Sequence, residues 1–223
     1  MIEKDFLNYF EDFKVQNFRW RNYPSKGKLK DFELFFRTKN LGKLNLPTGK
    51  IVASDPFVYF DEKPFVTKVE SGSYDVILSL ARINYEDERV AFAMLKFNEN
   101  LPIQWEFALR ETDDVSKLID GQFFGYGVDS GTGCFIDAES QIILNELLED
   151  QKFDEFLVNE MQKTFVNTRD WVNYTFENHP NNNLIAFSSG WGDGGYASYF
   201  GYDENNQVIC LVTDFEVVRD SEK

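Results

Sequence analysis

The chain has a single histidine and two cysteines in 223 residues, and it holds no apolar run long enough to cross a bilayer as a helix. Each scarcity removes a class of chemistry. Cys134 and Cys210 are too few for a disulfide framework and show no C-x-x-C spacing, so both read as reduced thiols, bridged only if the fold brings them together. With His179 as its one imidazole, nucleophilic catalysis by a histidine-activated serine or cysteine rests on a residue inside the loop-like stretch NHPNNN. The opening residues MIEKDFLNYFEDF are too charged for a signal peptide, which points to a cytoplasmic protein with no membrane partner.

Positive charge is also short, with 23 Lys and Arg against 38 Asp and Glu for a net charge of −15. The deficit is uneven. Residues 1–50 hold 11 basic and 6 acidic side chains, so the remainder carries the whole negative excess. Such a body repels nucleic-acid phosphates and anionic membranes, and it attracts basic proteins or cations. Solubility alone is the plainer account of the same charge. From Arg19 to Lys43 basic residues alternate with the aromatics Trp20, Tyr23, Phe32, Phe35 and Phe36. That mixture resembles a nucleic-acid surface, but packing against the acidic body is the favoured reading.

Aromatics are abundant and the length allows one sizeable core. EKDFLNYFEDFKVQNF spaces Phe6, Tyr9, Phe10 and Phe13 as one face of an amphipathic N-terminal helix. YDVILSLARI and RVAFAMLKF are apolar on both faces, as buried central strands are, and PIQWEFALR alternates like a strand with one wet face; the three read as an antiparallel meander. TDDVSKLIDG reads as a short helix capped by Thr112, and ESQIILNELLED and KFDEFLVNEMQKTF carry core-facing helical stripes. NLIAFSS, YASYFGY and QVICLVTDFEVV return to strands, with DENN as a hairpin turn. The expectation is an α+β fold: a mostly antiparallel, sandwich-like sheet system with an N-terminal helix and helices inserted before the final strands. It divides into an N-terminal segment, 1–47, packed on a single β-rich domain, 48–223.

Chemistry concentrates in two glycine-rich stretches. GYGVDSGTGCFIDAE lacks the spacing of a dinucleotide fingerprint, the lysine of a P-loop and the ligand order of an EF-hand. It does offer free backbone at Gly131 and Gly133 beside the polar side chains of Asp129, Ser130 and Thr132. SSGWGDGGYASYFGYD repeats the mixture with Ser189, Trp191 and Asp193. If the two loops meet, these six residues form a polar cleft with an aromatic wall, suited to a small polar ligand; if not, each is only a satisfied turn. Asp55, Cys134, Asp137 and Asp214 are weaker candidates: Asp55 before a proline, Cys134 on a presumptive buried strand where thiols are inert, Asp137 in the apparent strand CFID, and Asp214 as an acid within the apolar strand LVTDF. No cofactor is expected beyond a divalent cation, which paired carboxylates such as Asp129 and Asp193 would hold.

In this order, GKIVASDPF, YDVILSLARI, ERVAFAMLKF, WEFALR, FFGYGVDSGTGCFIDAES, IAFSSGWGDGGYASYFGYD and VICLVTDFEV closely resemble the bacterial domain of unknown function 4241 family, over about residues 48 to 218. The basic N-terminal segment lies mostly outside the resemblance. The resemblance implies a bacterial cytosolic protein with the two glycine loops as its signature, and it carries no catalytic residues. It is compatible with partner-binding relatives such as toxin-neutralising immunity proteins, for which an acidic body would suit a basic partner. The functional expectation is therefore a non-enzymatic binding protein, with a hydrolase-like carboxylate or cation site at the two loops as the alternative.

Overall fold

The computed structural model describes residues 5–21, 29–58, 61–119 and 121–218, and the side chains of 18–32 and 151 lie outside the description. Among the described residues, twelve strands, all antiparallel to their partners, form two sheets. The larger runs β1 (Lys14–Arg21), β2 (Leu29–Leu46), β4 (Gly72–Arg82), β5 (Glu88–Lys96), β12 (Val208–Asp214), β11 (Gly194–Tyr202) and β6 (Gln104–Phe107), with β7 (Tyr126–Val128) also on β11. The smaller runs β3 (Ile51–Ser54), β8 (Thr132–Asp137), β10 (His179–Ser188) and β9 (Trp171–Phe176). Helices α1 (Ala138–Leu148) and α2 (Gln151–Gln162) follow β8.

The layering explains the apolar pattern. The strands of the small sheet alternate between two cores. Ile51, Ala53, Phe135, Ile185 and Phe187 face the large sheet, while Val52, Cys134, Ile136, Leu184 and Ala186 face Leu144, Leu157 and Met161 of the helices. The large sheet is covered twice as well. Its outer face carries Phe92, Trp105 and Tyr199, on which the Phe6 ring packs at centroid distances of 5.7, 4.8 and 5.0 Å. Strands buried on both faces must be apolar on both, hence the unbroken runs of β4 and β5. Each fully buried phenylalanine here contributes about 1.5–3 kcal/mol.

Among the described residues the expected N-terminal α-helix is not formed. Residues Phe6–Tyr9 make one 3₁₀ turn, Phe13 adopts φ +59°, and β1 begins at Lys14 opposite Phe36. The aromatic spacing marks a buried face, but only over one turn, because pairing with β2 satisfies more backbone groups than a short helix would. The described part of the 112–121 stretch, which leaves out residue 120, likewise forms only a 3₁₀ turn, Val115–Lys117, capped by Asp114 in place of Thr112. The second α-helix stops at Gln162, three residues before the end of its apolar pattern. The meander also differs: β4 and β5 form a hairpin, but β6 pairs with β11, leaving β12 and β11 between β5 and β6. Most of NHPNNN is strand, since β10 starts at His179 and absorbs the extra residues in a register shift before Asn183. Of the basic aromatic segment, Phe36 is core and Arg37 pairs with Glu88, while Trp20, Tyr23 and Phe32 lie outside the described side chains.

Candidate functional site

Both glycine loops sit at the same end of the two sheets and touch. Gly194 pairs with Val128 and Ser188 with Thr132, the Ser189 N–H donates to the Gly131 carbonyl at 3.0 Å, and a Cβ on Gly131 would come within 3.8 Å of the Gly192 Cα. The convergence follows from register. One loop bridges β7 to β8 and the other bridges β10 to β11, so the pairs β8–β10 and β7–β11 fold both loops onto the same edge.

Asp55 organises the first loop. It is buried just after β3, and its carboxylate accepts the N–H groups of Asp129 at 2.9 Å, Ser130 at 2.7 Å and Phe57 at 2.9 Å, together with the Ser130 hydroxyl at 2.8 Å. A buried carboxylate needs such donors, so its role is to hold the turn. In the second loop the Ser189 hydroxyl donates to the Gly192 carbonyl at 2.9 Å and the Tyr196 hydroxyl to the same oxygen at 2.7 Å. Trp191 stands 45% exposed with the Arg89 guanidinium 4.3 Å above its ring, and Arg89 also donates to the Gly190 carbonyl.

Of the remaining candidates, Asp129, Ser130 and Asp193 are exposed, while Thr132 and Ser189 are buried. Asp137 caps α1, accepting from the Glu139 N–H and from Thr48, and Asp214 accepts the Glu216 N–H. Cys134 and Cys210 are free thiols in different layers. Burial pushes the Cys134 thiol up to about 12, with the Ser54 hydroxyl beside it, so it is protonated and inert at neutral pH. His179 opens β10 while Ala186, opposite Cys134, lies seven residues along it, roughly 20 Å away at the rise of a strand. A Cys134–His179 pair is thereby excluded. Among the described residues no three His, Cys, Asp or Glu side chains gather as a metal site.

A groove of about 400 Å³ opens beneath the first loop. Ser130, Gly131 and Thr132 form one wall, Asp154, Val158, Met161 and Gln162 of α2 the other, and Phe57, Phe165, Asp170 and Ser188 close it. Among the described residues, two carboxylates line it and no basic side chain does. One oxygen of Asp170 accepts the Ser188 hydroxyl at 2.6 Å. One oxygen of Asp154 is buried and, among the described residues, has no hydrogen-bond partner.

Neighbouring Arg169 faces the opposite way. With Arg37 it grips the buried Glu88 carboxylate, through contacts of 2.5 to 2.8 Å, and Arg82 adds a third guanidinium at 3.5 Å. Burial raises the Glu88 pKa, but the hydrogen bonds from Arg37 and Arg169 pull it below the ordinary carboxyl value. The loop 164–170 is thus pinned on one side by an ion cluster and presents Asp170 to the groove on the other. Sequence reasoning passed over Asp154 and Asp170. The available signal was positional: Asp154, Val158, Met161, Gln162 and Phe165 share one face of α2 and its extension.

A model of the family described as protein of unknown function (DUF4241) matches residues 44–213, and the chain belongs to that family. No curated protein and no solved structure matches it.

Proposed function

We propose that this DUF4241 member is a non-enzymatic binding protein of the bacterial cytosol that captures a basic protein partner at the end of the two sheets where the glycine loops meet. The observation that carries the reading is the groove beside the joined loops, lined among the described residues by two carboxylates and no basic residue, in a chain of net charge −15. Negative potential at such an end speeds encounter with a basic partner and disfavours anionic competitors. Exposed Trp191 and Phe165 add the apolar area from which stable contacts are built. Neutralisation of a basic toxin, as an immunity protein performs it, is one form this role takes.

The hydrolase-like alternative has less support. Asp129 and Asp193 are exposed turn residues, while Asp55, Asp137 and Asp214 accept hydrogen bonds that hold turns and a helix start. The test is capture from a native-host extract by the full chain, compared with Phe165→Ser. The expected result is a basic protein retained at low salt, released near 1 M salt where the screening length is about 3 Å, and captured less by the variant. Equal capture by both proteins, or retention indifferent to salt, would overturn the reading.

A further inference from the structure

We propose that the groove between the first glycine loop and α2 receives a guanidinium, the head of an arginine side chain carried by the partner; this rests on the partner-binding reading above. The groove is built in two parts. Phe57, Val158, Met161 and Phe165 supply apolar wall, suited to a methylene stem and to the flat face of a guanidinium. Asp154 and Asp170 supply the negative charge, and Ser130, Thr132 and Ser188 surround them with hydroxyls. Its volume of about 400 Å³ falls at the small end of ligand sites, enough for one long side chain.

The strongest pointer is Asp154. One of its carboxylate oxygens is shielded from solvent and, among the described residues, has no hydrogen-bond donor, which is costly, whereas Asp170 on the same groove already has the Ser188 hydroxyl. A ligand that donates to Asp154 removes that cost on binding. Guanidinium fits better than ammonium because it is more weakly hydrated, always charged, and presents five donors in a planar fork that two carboxylates and nearby hydroxyls can engage together. The setting favours a side chain of a protein over a free metabolite. Val158 and Phe165 are 38% and 57% exposed, and apolar shoulders around a polar hole are the form of an interface anchor site.

The test is a nuclear magnetic resonance titration of the isotope-labelled full chain with N-acetyl-arginine amide, its neutral isostere N-acetyl-citrulline amide, and N-acetyl-lysine amide. Saturable shifts are expected from the arginine probe at the amides of 130–132, 154–165 and 188, weaker ones from lysine, and none from citrulline. Asp154→Asn is expected to weaken arginine binding by about tenfold or more while leaving the thermal midpoint unchanged or raised, as befits a residue kept for binding. A second variant, Val158→Trp, obstructs the groove mouth on an exposed helix face and should abolish the shifts. The proposal is overturned by citrulline binding equally, by shifts scattered over the acidic surface, or by binding that survives both variants. Repeating the extract capture with Asp154→Asn separates the two claims. A basic partner lost by Phe165→Ser but kept by Asp154→Asn refutes the arginine pocket and leaves the binding reading intact; absence of any salt-sensitive partner refutes the reading itself.

Discussion

Gly190 and Gly192 stand two residues apart in the second loop, and their surroundings assign them different costs. Both have positive φ, +48° and +103°, but a Cβ on Gly190 would lie 2.7 Å from the Phe215 carbonyl oxygen, whereas one on Gly192 would meet nothing within 4 Å. Gly190→Ala adds a backbone collision to the left-handed strain and is expected to destabilise by about 2–4 kcal/mol, Gly192→Ala by about 1–2. Urea unfolding of the two variants checks the order, and equal losses would mean that Gly190 has room the geometry denies. The motif is therefore only partly a site. Gly190 serves close packing against Phe215, Asp55 serves the turn, and the groove beside them uses the result.

At the scale of elements, the loop 164–170 links an ion cluster to the groove. Glu88 opens β5 and is fully buried, Arg169 is 3% exposed, and losing the carboxylate leaves Arg169 charged and uncompensated. Glu88→Gln is expected to cost about 3–5 kcal/mol near neutral pH. The folded-state pKa of Glu88 lies below the ordinary 4.5, so its contribution is complete above that value and fades as pH falls through the lower folded value. Denaturation of wild type and variant across the acid range should show a constant difference near neutrality and a shrinking one below about pH 4.5. A difference that grows on acidification would reverse the assignment. Element boundaries show the same lesson as the ion cluster: NYEDE, between the runs of β4 and β5, reads as a turn, and nothing in it announces that Glu88 meets arginines from β2 and from beyond α2.

For the whole molecule, a net charge of −15 imposes self-repulsion that compactness intensifies. Raising salt from about 0.01 to 0.15 M shortens the screening length from about 30 to 8 Å. The thermal midpoint should rise by a few degrees, roughly 2–4 °C for each kcal/mol relieved in a chain of this size. A falling midpoint would mean that surface ion pairs outweigh the repulsion. The same charge that costs stability supports the capture of a basic partner.

Sequence alone determined the quantities that depend on local order. Period-two and continuous apolar runs placed β4, β5, β8, β11 and β12, because a strand buried on one or two faces must show it in consecutive residues. The stripes of α1 and α2, and the two glycine loops as the places to look, were legible for the same reason. Tertiary structure alone decided the rest. Helical spacing at Phe6, Tyr9 and Phe10 could not reveal that β2 would claim the residues after them. Strand order put β6 on β11, joined the two loops across two sheets, and set Asp154 of α2 opposite Ser130. Such juxtapositions arise from pairings across long sequence separations, and no spacing in the chain encodes them.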